Sequence, residues 1–338
     1  MSAPGSEVRG SRLEAFGVHL LILGYSSIVR RRVLPAARTL AGIREITMAS
    51  RRGAAQGDAD LRWFSDYDEA LASSGADLVY VSGVNTEHAS WVMRGLERGL
   101  HVMVDKPAFL DLQAARSAVA LARHRQRGLA EATVFTCHPQ VAALRSLIDP
   151  AEAGSTRVSA VLSFPPLPAS DFRYRADCGG GSLYDVGPYV VATNRLVFGA
   201  APARVHCAVL ARGGSPEVDT SFSVLLAHEH GGSLAGHFGF VTAYQNRLSV
   251  LTRSRAIDAE RLFTTPPDLP CALRVRDDQG ERAVPVPAAD SFALFLQAFL
   301  EAIDGGDVSA FESALLEDAA LLARLREAAG RQGPPYGS

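Results

Sequence analysis

The sequence predicts an α/β protein of two domains: a doubly wound parallel sheet over residues 16–137, then an α+β domain over 138–330 built on a largely antiparallel open sheet. Three observations predict it. Through the first 137 residues, short and almost wholly apolar runs alternate with helical patterns across brief connections. Runs of that kind are strands buried on both faces, as parallel sheets require. Past His138 the rhythm changes, and at least five strand-like runs crowd between Ala203 and Val286, several of alternating polarity. That is how antiparallel strands with one covered face read. Finally, 338 residues are too many for one small core and enough for two ordinary domains.

In order, VHLLILG (18–24) is the first strand, closed by Gly24, and a helix follows over about 28–40 with Pro35 tolerated near a first turn. REITMAS (44–50) is the second strand, 66–73 a short helix, ADLVYVSG (76–83) the third strand and 87–99 the next helix. HVMVDKP (101–107) is a strand ending at Asp105, followed by a long helix over 110–127 and a strand over 131–137. The alternation is that of βαβ units, whose crossovers place helices on both faces of one sheet. A helix over 141–147 and a strand over 157–164 then precede a glycine-rich segment and a helix over 182–198. Helices over 290–303 and 309–329 close the chain and are the elements able to pack back on the first domain. Residues 1–15 and 331–338 are expected to be flexible tails.

Composition excludes several classes. An apolar fraction of 47% and a charged fraction of 21% are those of a folded chain. Thirty-four basic residues against thirty-six acidic leave a charge of −2, with no general attraction to nucleic acid or membrane surfaces. No run reaches the roughly 18–20 apolar residues of a membrane span, and the N-terminus lacks a signal-peptide core, so a cytoplasmic address is expected. Cys137, Cys178, Cys207 and Cys271 are widely spaced without a CxxC pair. His228 and His230 flank Glu229, but alternation on a strand turns Glu229 to the other face, so no metal site is expected.

Chemistry concentrates at a few places. Gly24, Ser26, Ser27 and Ile28 lie where a strand hands over to a helix, the position of a phosphate-cradling glycine loop. Of GxGxxG only Gly24 remains, with Ser26 and Val29 at the other two positions. Gly24 suits a tight turn, and Ser26 is small enough for a pyrophosphate to approach the backbone. The second strand ends in Ser50, Arg51 and Arg52 with no acidic residue. A carboxylate there would hold a ribose 2′-hydroxyl, whereas serine and arginines suit a 2′-phosphate, so the expected cofactor is NADP(H). Asn85 and His88 follow the third strand at the carboxyl edge, where ligands bind in such sheets; His88 either touches ribose or caps a helix. Lys106 is the only lysine among the thirty-four basic residues, which is either chance or a site wanting a compact ammonium. Asp185 and Tyr189 are i and i+4, on one face of a helix. Reduction of a ketone needs a proton donor, and a neighbouring ammonium would bring a tyrosine's pKa of about 10 nearer neutrality. Lys106 is the candidate neighbour.

At Asp105–Lys106–Pro107 and at GGGSLYDVGPY (179–189) the chain resembles the glucose-fructose oxidoreductase / inositol dehydrogenase / rhizopine-catabolism (Gfo/Idh/MocA) family of two-domain dehydrogenases. LPA (34–36), NTEH (85–88), HPQ (138–140) and DFR (171–173) fall in the family's order, and the likeness covers about residues 18–305. Asp105 stands where the family usually has Glu, and Val84 where it often has Pro. The resemblance implies a Rossmann first domain, Asp105 and Lys106 beside the nicotinamide, Lys106 serving the reacting carbonyl or hydroxyl, and Tyr189 as the residue of the tyrosine branch. Asp185 either orients substrate hydroxyls or caps its helix. Arg173 is either a partner for a sugar diphosphate or a surface charge, and Tyr244 is a further candidate substrate contact.

The nearest likeness is to nucleotide-sugar 3-ketoreductases, which implies a nucleotide-linked 3-keto-deoxysugar of secondary metabolism. A free-sugar, inositol or trans-dihydrodiol dehydrogenase is the alternative enzyme, and a non-catalytic dinucleotide-binding scaffold or sensor the rival from another class. Proteins with the resembling second domain pair through its open sheet. The runs 221–226 and 247–251 supply an alternating apolar face, so a homodimer or homotetramer is expected.

Overall fold

The computed structural model describes residues 17–53, 58 and 60–331. The tail expected at 1–15, position 16, and all but the first residue of the tail expected at 331–338 lie outside the described residues. Residue 331 still belongs to the last helix end, its backbone N–H donating to Glu327 O at 3.2 Å.

The first sheet holds six parallel strands: β1 (Val18–Leu23), β2 (Ile43–Ala49), β3 (Arg62–Phe64), β4 (Leu78–Val81), β5 (His101–Val104) and β6 (Leu129–Glu131). Their spatial order is β3-β2-β1-β4-β5-β6, so the winding reverses between β1 and β4. A crevice opens at such a reversal. Every residue of β1 and β4 is buried, which is why both read as unbroken apolar runs. A π-helical turn (Val29–Val33) runs into α1 (Leu34–Arg38); α2 (Tyr67–Ser73), α3 (Asn85–Glu97) and α4 (Leu112–Arg125) follow. Asp66 and Asp111 cap α2 and α4, their carboxylates accepting the Glu69 and Ala114 amides.

Two expectations need correction here. The strand expected over 131–137 ends where it was to begin: β6 pairs with β5 through Leu129, Ala130 and Glu131 only, and Val134–Cys137 is a 3-10 turn. β6 is an edge strand, and beyond it the chain leaves the sheet to carry Phe135 into the second core. β3 was not expected at all. Three residues at an edge leave too short a run to show periodicity.

The second sheet has eight strands: β7 (Arg157–Ser163), β8 (Arg204–Gly214), β9 (Glu217–Ala227), β10 (Ser233–Gly239), β11 (Gln245–Leu251), β12 (Ala256–Glu260), β13 (Cys271–Asp277) and β14 (Gly280–Val286). They lie in the order β14-β13-β12-β11-β7-β10-β9-β8, antiparallel except for β7 beside β10. Helix α5 (Pro139–Ser146) precedes β7. The helix expected over 182–198 is two, α6 (Ser182–Asp185) and α7 (Gly187–Phe198). Pro188 has no N–H to give the preceding turn, so the helix breaks at Val186 and restarts with Pro188 tolerated in the first turn of α7.

Phe222, Val224 and Leu226 of β9, with Leu248 and Val250 of β11, face inward onto Val190 and Val191 of α7. The outward positions of those runs are Ser223, Leu225, Arg247, Ser249 and Leu251, a mixed face rather than the apolar one expected. Two helices return to the first sheet. Helix α8 (Ser291–Asp304) packs Phe295, Leu296, Phe299 and Leu300 beside Leu20 and Ile22. Helix α9 (Ser309–Gly330) buries Leu315 in the first domain and Leu321, Leu322 and Leu325 in the second. Its bidentate Arg195–Asp318 pair, at 3.0 and 2.9 Å, ties it to α7.

Candidate active site

A cleft of about 1050 Å³ runs along the carboxyl edge of the first sheet, between it and the second domain. It gathers nearly every residue singled out above: Gly24, Ser26, Ser27, Ile28, Ser50, Arg51, Arg52, Asn85, His88, Asp105, Lys106, Arg173, Asp185 and Tyr189. Tyr244 is the exception. It is 46% exposed, with Arg261 5.7 Å from its ring centre, and it does not line the cleft. Phe240, the buried residue at the same strand connection, takes the inward place against Phe164 and Tyr174.

The glycine loop is built for close approach. Gly24 has φ +97°, and a Cβ there would lie 1.7 Å from Ser82 O, so no other residue fits. Ser26 Oγ accepts the Val29 amide at 3.2 Å and lies 2.9 Å from Ser82 Oγ. Ser82 in turn donates to Asp105, whose other oxygen accepts the Tyr80 hydroxyl. Ser26 thus closes the first turn and joins the loop to the ends of β4 and, through Ser82, β5. These residues fit a bound dinucleotide: a glycine whose missing side chain brings two strand ends together, small serines beyond it, and a long cleft beside them.

Asn85 and His88 stitch the cleft walls. Asn85 Nδ2 donates to Gly179 O at 2.9 Å, linking α3 to the glycine-rich segment of the second domain. His88 Nδ1 lies 2.9 Å from Pro107 O, next to Lys106. Burial lowers the His88 pKa, so the ring is neutral and holds the turn.

At the cleft floor Lys106 Nζ donates to the Asp185 backbone carbonyl at 2.5 Å and to Asp185 Oδ1 at 3.0 Å. The helix break makes this possible. In an unbroken helix the Tyr189 amide would take the Asp185 carbonyl; here it turns to Val186 O instead, leaving that oxygen for the ammonium. Arg173 Nε donates to Asp185 Oδ2 at 2.8 Å, and Arg173 also pairs with Asp171 at 3.2 Å. Burial works to raise the Asp185 pKa, but Lys106 and Arg173 overcome it and hold the carboxyl down at about 2. Burial likewise opposes charge on Lys106, and Asp185 reverses that, raising the ammonium above the ordinary lysine value. Asp185 therefore orients the lysine rather than capping a helix.

Tyr189 lies half-buried between the rings of Phe135 and Phe263, with Lys106 Nζ 5.3 Å from its ring centre. Its hydroxyl bonds to none of the described residues. The expected drop in its pKa does not occur. Burial raises it, and the lowering by Lys106 is opposed by the Asp185 carboxylate between them in charge balance. The phenol is kept protonated, the form that donates.

At the far end, Arg51 is not free. It donates to Glu87 Oε1 at 2.8 Å and lies 4.8 Å from the Tyr67 ring centre. No acid ends the second strand, yet one arrives from the first turn of α3. Arg52 carries no ion pair among the described residues.

Two family models match the chain: the oxidoreductase family with NAD-binding Rossmann fold over residues 18–133, and the GFO/IDH/MocA C-terminal domain over 141–257. The dTDP-3,4-didehydro-2,6-dideoxy-α-D-glucose 3-reductase of Actinomadura kijaniata is 32% identical over 292 residues, spanning 85% of this chain and 87% of that one. The chain belongs to the Gfo/Idh/MocA oxidoreductase family. A solved 3-ketoreductase from Actinomadura kijaniata in complex with NADP and TDP-benzene is similar with a TM-score of 0.84 at 28% identity, covering 93% of this chain and 98% of that one. A Haloferax volcanii D-xylose 1-dehydrogenase (NADP(+)) is 29% identical over 72% of this chain and 75% of its own length.

As a Gfo/Idh/MocA oxidoreductase the chain uses more cleft residues than the sequence revealed. Glu87, Phe164, Phe263, Thr264 and Phe292 also line it. Glu87 lies inside the NTEH segment, but its partner Arg51 is distant in sequence and no local spacing marks it. The others lie at strand and helix ends with no spacing to mark them. No described helix is long and apolar enough to cross a membrane.

Proposed function

We propose that this oxidoreductase uses NADPH to reduce the 3-keto group of a nucleotide-linked deoxysugar, with Lys106 and Tyr189 at the reacting oxygen. The observation that carries the reading is the single lysine, held by Asp185 beside a protonated Tyr189 on the cleft floor. Two of the relatives named above, a dTDP-3,4-didehydro-2,6-dideoxy-α-D-glucose 3-reductase and a 3-ketoreductase solved with NADP and TDP-benzene, support the substrate class and the cofactor. The Gly24–Ile28 loop would hold the dinucleotide, which would supply hydride to the carbonyl carbon. Lys106 polarises the carbonyl, and the Tyr189 phenol gives its proton to the oxygen as the new C–H bond forms. Asp185 and Arg173 fix the ammonium, so its position is set before substrate arrives. Residues 138–330 supply the substrate wall, and the outer face of the second sheet is the pairing surface of a homodimer or homotetramer.

The test is single-turnover oxidation of bound NADPH by a dTDP-linked 3-keto sugar, set beside single-turnover reduction of bound NADP⁺ by free xylose, an inositol and a trans-dihydrodiol. Turnover with the dTDP sugar alone supports the reading. Turnover only with a free sugar or diol moves the chain to the second reading, which the xylose dehydrogenase relative favours. Tight dinucleotide binding without hydride transfer to any member of the panel would leave a scaffold or sensor.

A further inference from the structure

The turn that carries Lys106 is held by a carboxylate that the proposed reaction does not use. Glu131, the last residue of β6, accepts the Ala108 amide on Oε2 at 3.0 Å and the Thr133 hydroxyl on Oε1 at 3.1 Å. Ala108 lies two residues from Lys106 and is fully buried. The Glu131 side chain also borders a second cavity of about 140 Å³, separate from the cleft floor, which it shares with Arg195, Asp318, Thr136 and Cys137. Arg195 is already matched by Asp318 in a bidentate pair. Among the described residues Glu131 therefore has two hydrogen-bond donors and no neutralising ion pair of its own.

We infer that Glu131 is the positioning residue for Lys106, holding the 106–108 turn through the Ala108 amide, and that its ionised form does so. The inference rests on the role proposed for Lys106. An ionised carboxylate is acceptor-only and takes both donors as they stand, whereas a protonated one keeps the Thr133 contact only if that hydroxyl turns round to accept. The groups that face Glu131 are Asp318 and Arg195 from the two packed helices, the Cys137 thiol, the Thr133 and Thr136 hydroxyls, and the Lys106 charge along the turn. Burial first, then the Asp318 charge, push the Glu131 carboxyl up to about 7, while the Ala108 and Thr133 bonds and Lys106 pull against them. Its folded pKa thus lies above the ordinary carboxylate value. Folded-state stability from this group is greatest below that ordinary value and is lost as pH rises through about 7. At neutral pH the ionised acid is a burden on the fold, which makes sense if the turn needs it.

Lys106 being the only lysine, protein grown on lysine labelled with ¹³C at Cε gives one side-chain resonance, readable without substrate. The experiment follows that resonance, heat stability and dinucleotide affinity in the native chain and Glu131→Gln between about pH 5.5 and 8.5. Single-turnover hydride transfer is measured in both and in Lys106→Ala. The resonance of the native chain should move with an inflection near pH 7 that Glu131→Gln lacks. At the alkaline end Glu131→Gln should melt higher than the native chain yet transfer hydride roughly 10- to 100-fold more slowly, with dinucleotide affinity nearly unchanged. Glu131→Ala should be slower still. If it does not fold, Glu131→Gln decides alone. A Glu131→Gln protein with native rate and the native Lys106 titration overturns the inference. So does one that is slow, melts lower and binds dinucleotide poorly, because that is a structural loss. Native hydride transfer in Lys106→Ala removes the proposed role of Lys106, and the inference with it; a dead Lys106→Ala beside a native Glu131→Gln removes only the inference.

Discussion

Lys106 keeps its charge chiefly through one residue. Asp185 holds the ammonium protonated against burial, so the two act as a fixed pair rather than as separate titrating groups. Tyr189 stays a phenol beyond its ordinary value. Tyr189→Phe should keep fold and dinucleotide affinity and lower single-turnover reduction by roughly 10²- to 10⁴-fold. The sign of the pH effect follows from the raised pKa. The donor form is complete at neutral pH and is lost only as pH rises through the folded value, so the rate falls on the alkaline side. Lys106→Ala removes a charge that lowers that value, and the alkaline limb should move further up while the rate drops. A limb that moves down instead would remove the electrostatic link. For the cofactor, Arg52 is the uncommitted cation and Arg51 the one bound to Glu87. Arg52→Ala should weaken NADPH by about 10-fold or more and NADH little, since a charge-assisted bond is worth roughly 1.5–3 kcal/mol. Equal losses for both cofactors in a titration would show that Arg52 does not read a 2′-phosphate.

The break between α6 and α7 is the element that makes the site. Its cause was visible as Gly187–Pro188, but the i, i+4 spacing of Asp185 and Tyr189 pointed to one continuous helix. Spacing describes a face; it does not say which carbonyls are free. With Pro188→Ala the turn regains an N–H, and an unbroken helix would draw the Asp185 carbonyl to the Tyr189 amide and away from Lys106. Heat stability should be unchanged or higher, and hydride transfer lower by roughly tenfold. A native rate in Pro188→Ala would mean that the carbonyl contact does not set the ammonium.

At the scale of the whole molecule, the chain leaves the first sheet at β6, builds the second, and returns through α8 and α9. The cleft is bounded by both bodies, with Asn85 bonded to Gly179 across it. The outer face of the second sheet leaves Leu210, Leu225 and Leu251 exposed at 52%, 43% and 51%. Those leucines sit among serines and arginines, so any pairing there is partly polar. Light scattering at micromolar protein should give a dimer or tetramer, and Leu225→Glu with Leu251→Glu should shift it toward monomer. A native monomer would remove the pairing surface.

Apart from the short edge strand β3 and the bounds of β6, the order of strands and helices in the first domain, the positions of Gly24, Lys106 and Tyr189, and the antiparallel character of the second sheet were legible in the sequence. Each is a local matter: a run wholly buried in a parallel sheet must be apolar throughout, and a turn at φ +97° against Ser82 must be glycine. The partners were not legible. Glu87 meets Arg51 from 36 residues away, and Asp185 meets Lys106 from 79. The inward turn of β9 and β11 and the outward place of Tyr244 depend on which face α7 covers, and alternation alone does not choose a face. Tertiary structure decided the charge states as well, because burial and opposing charges act through space. A lone lysine beside a tyrosine suggests a phenolate, and only burial, with the Asp185 carboxylate set against Lys106, shows why the phenol keeps its proton.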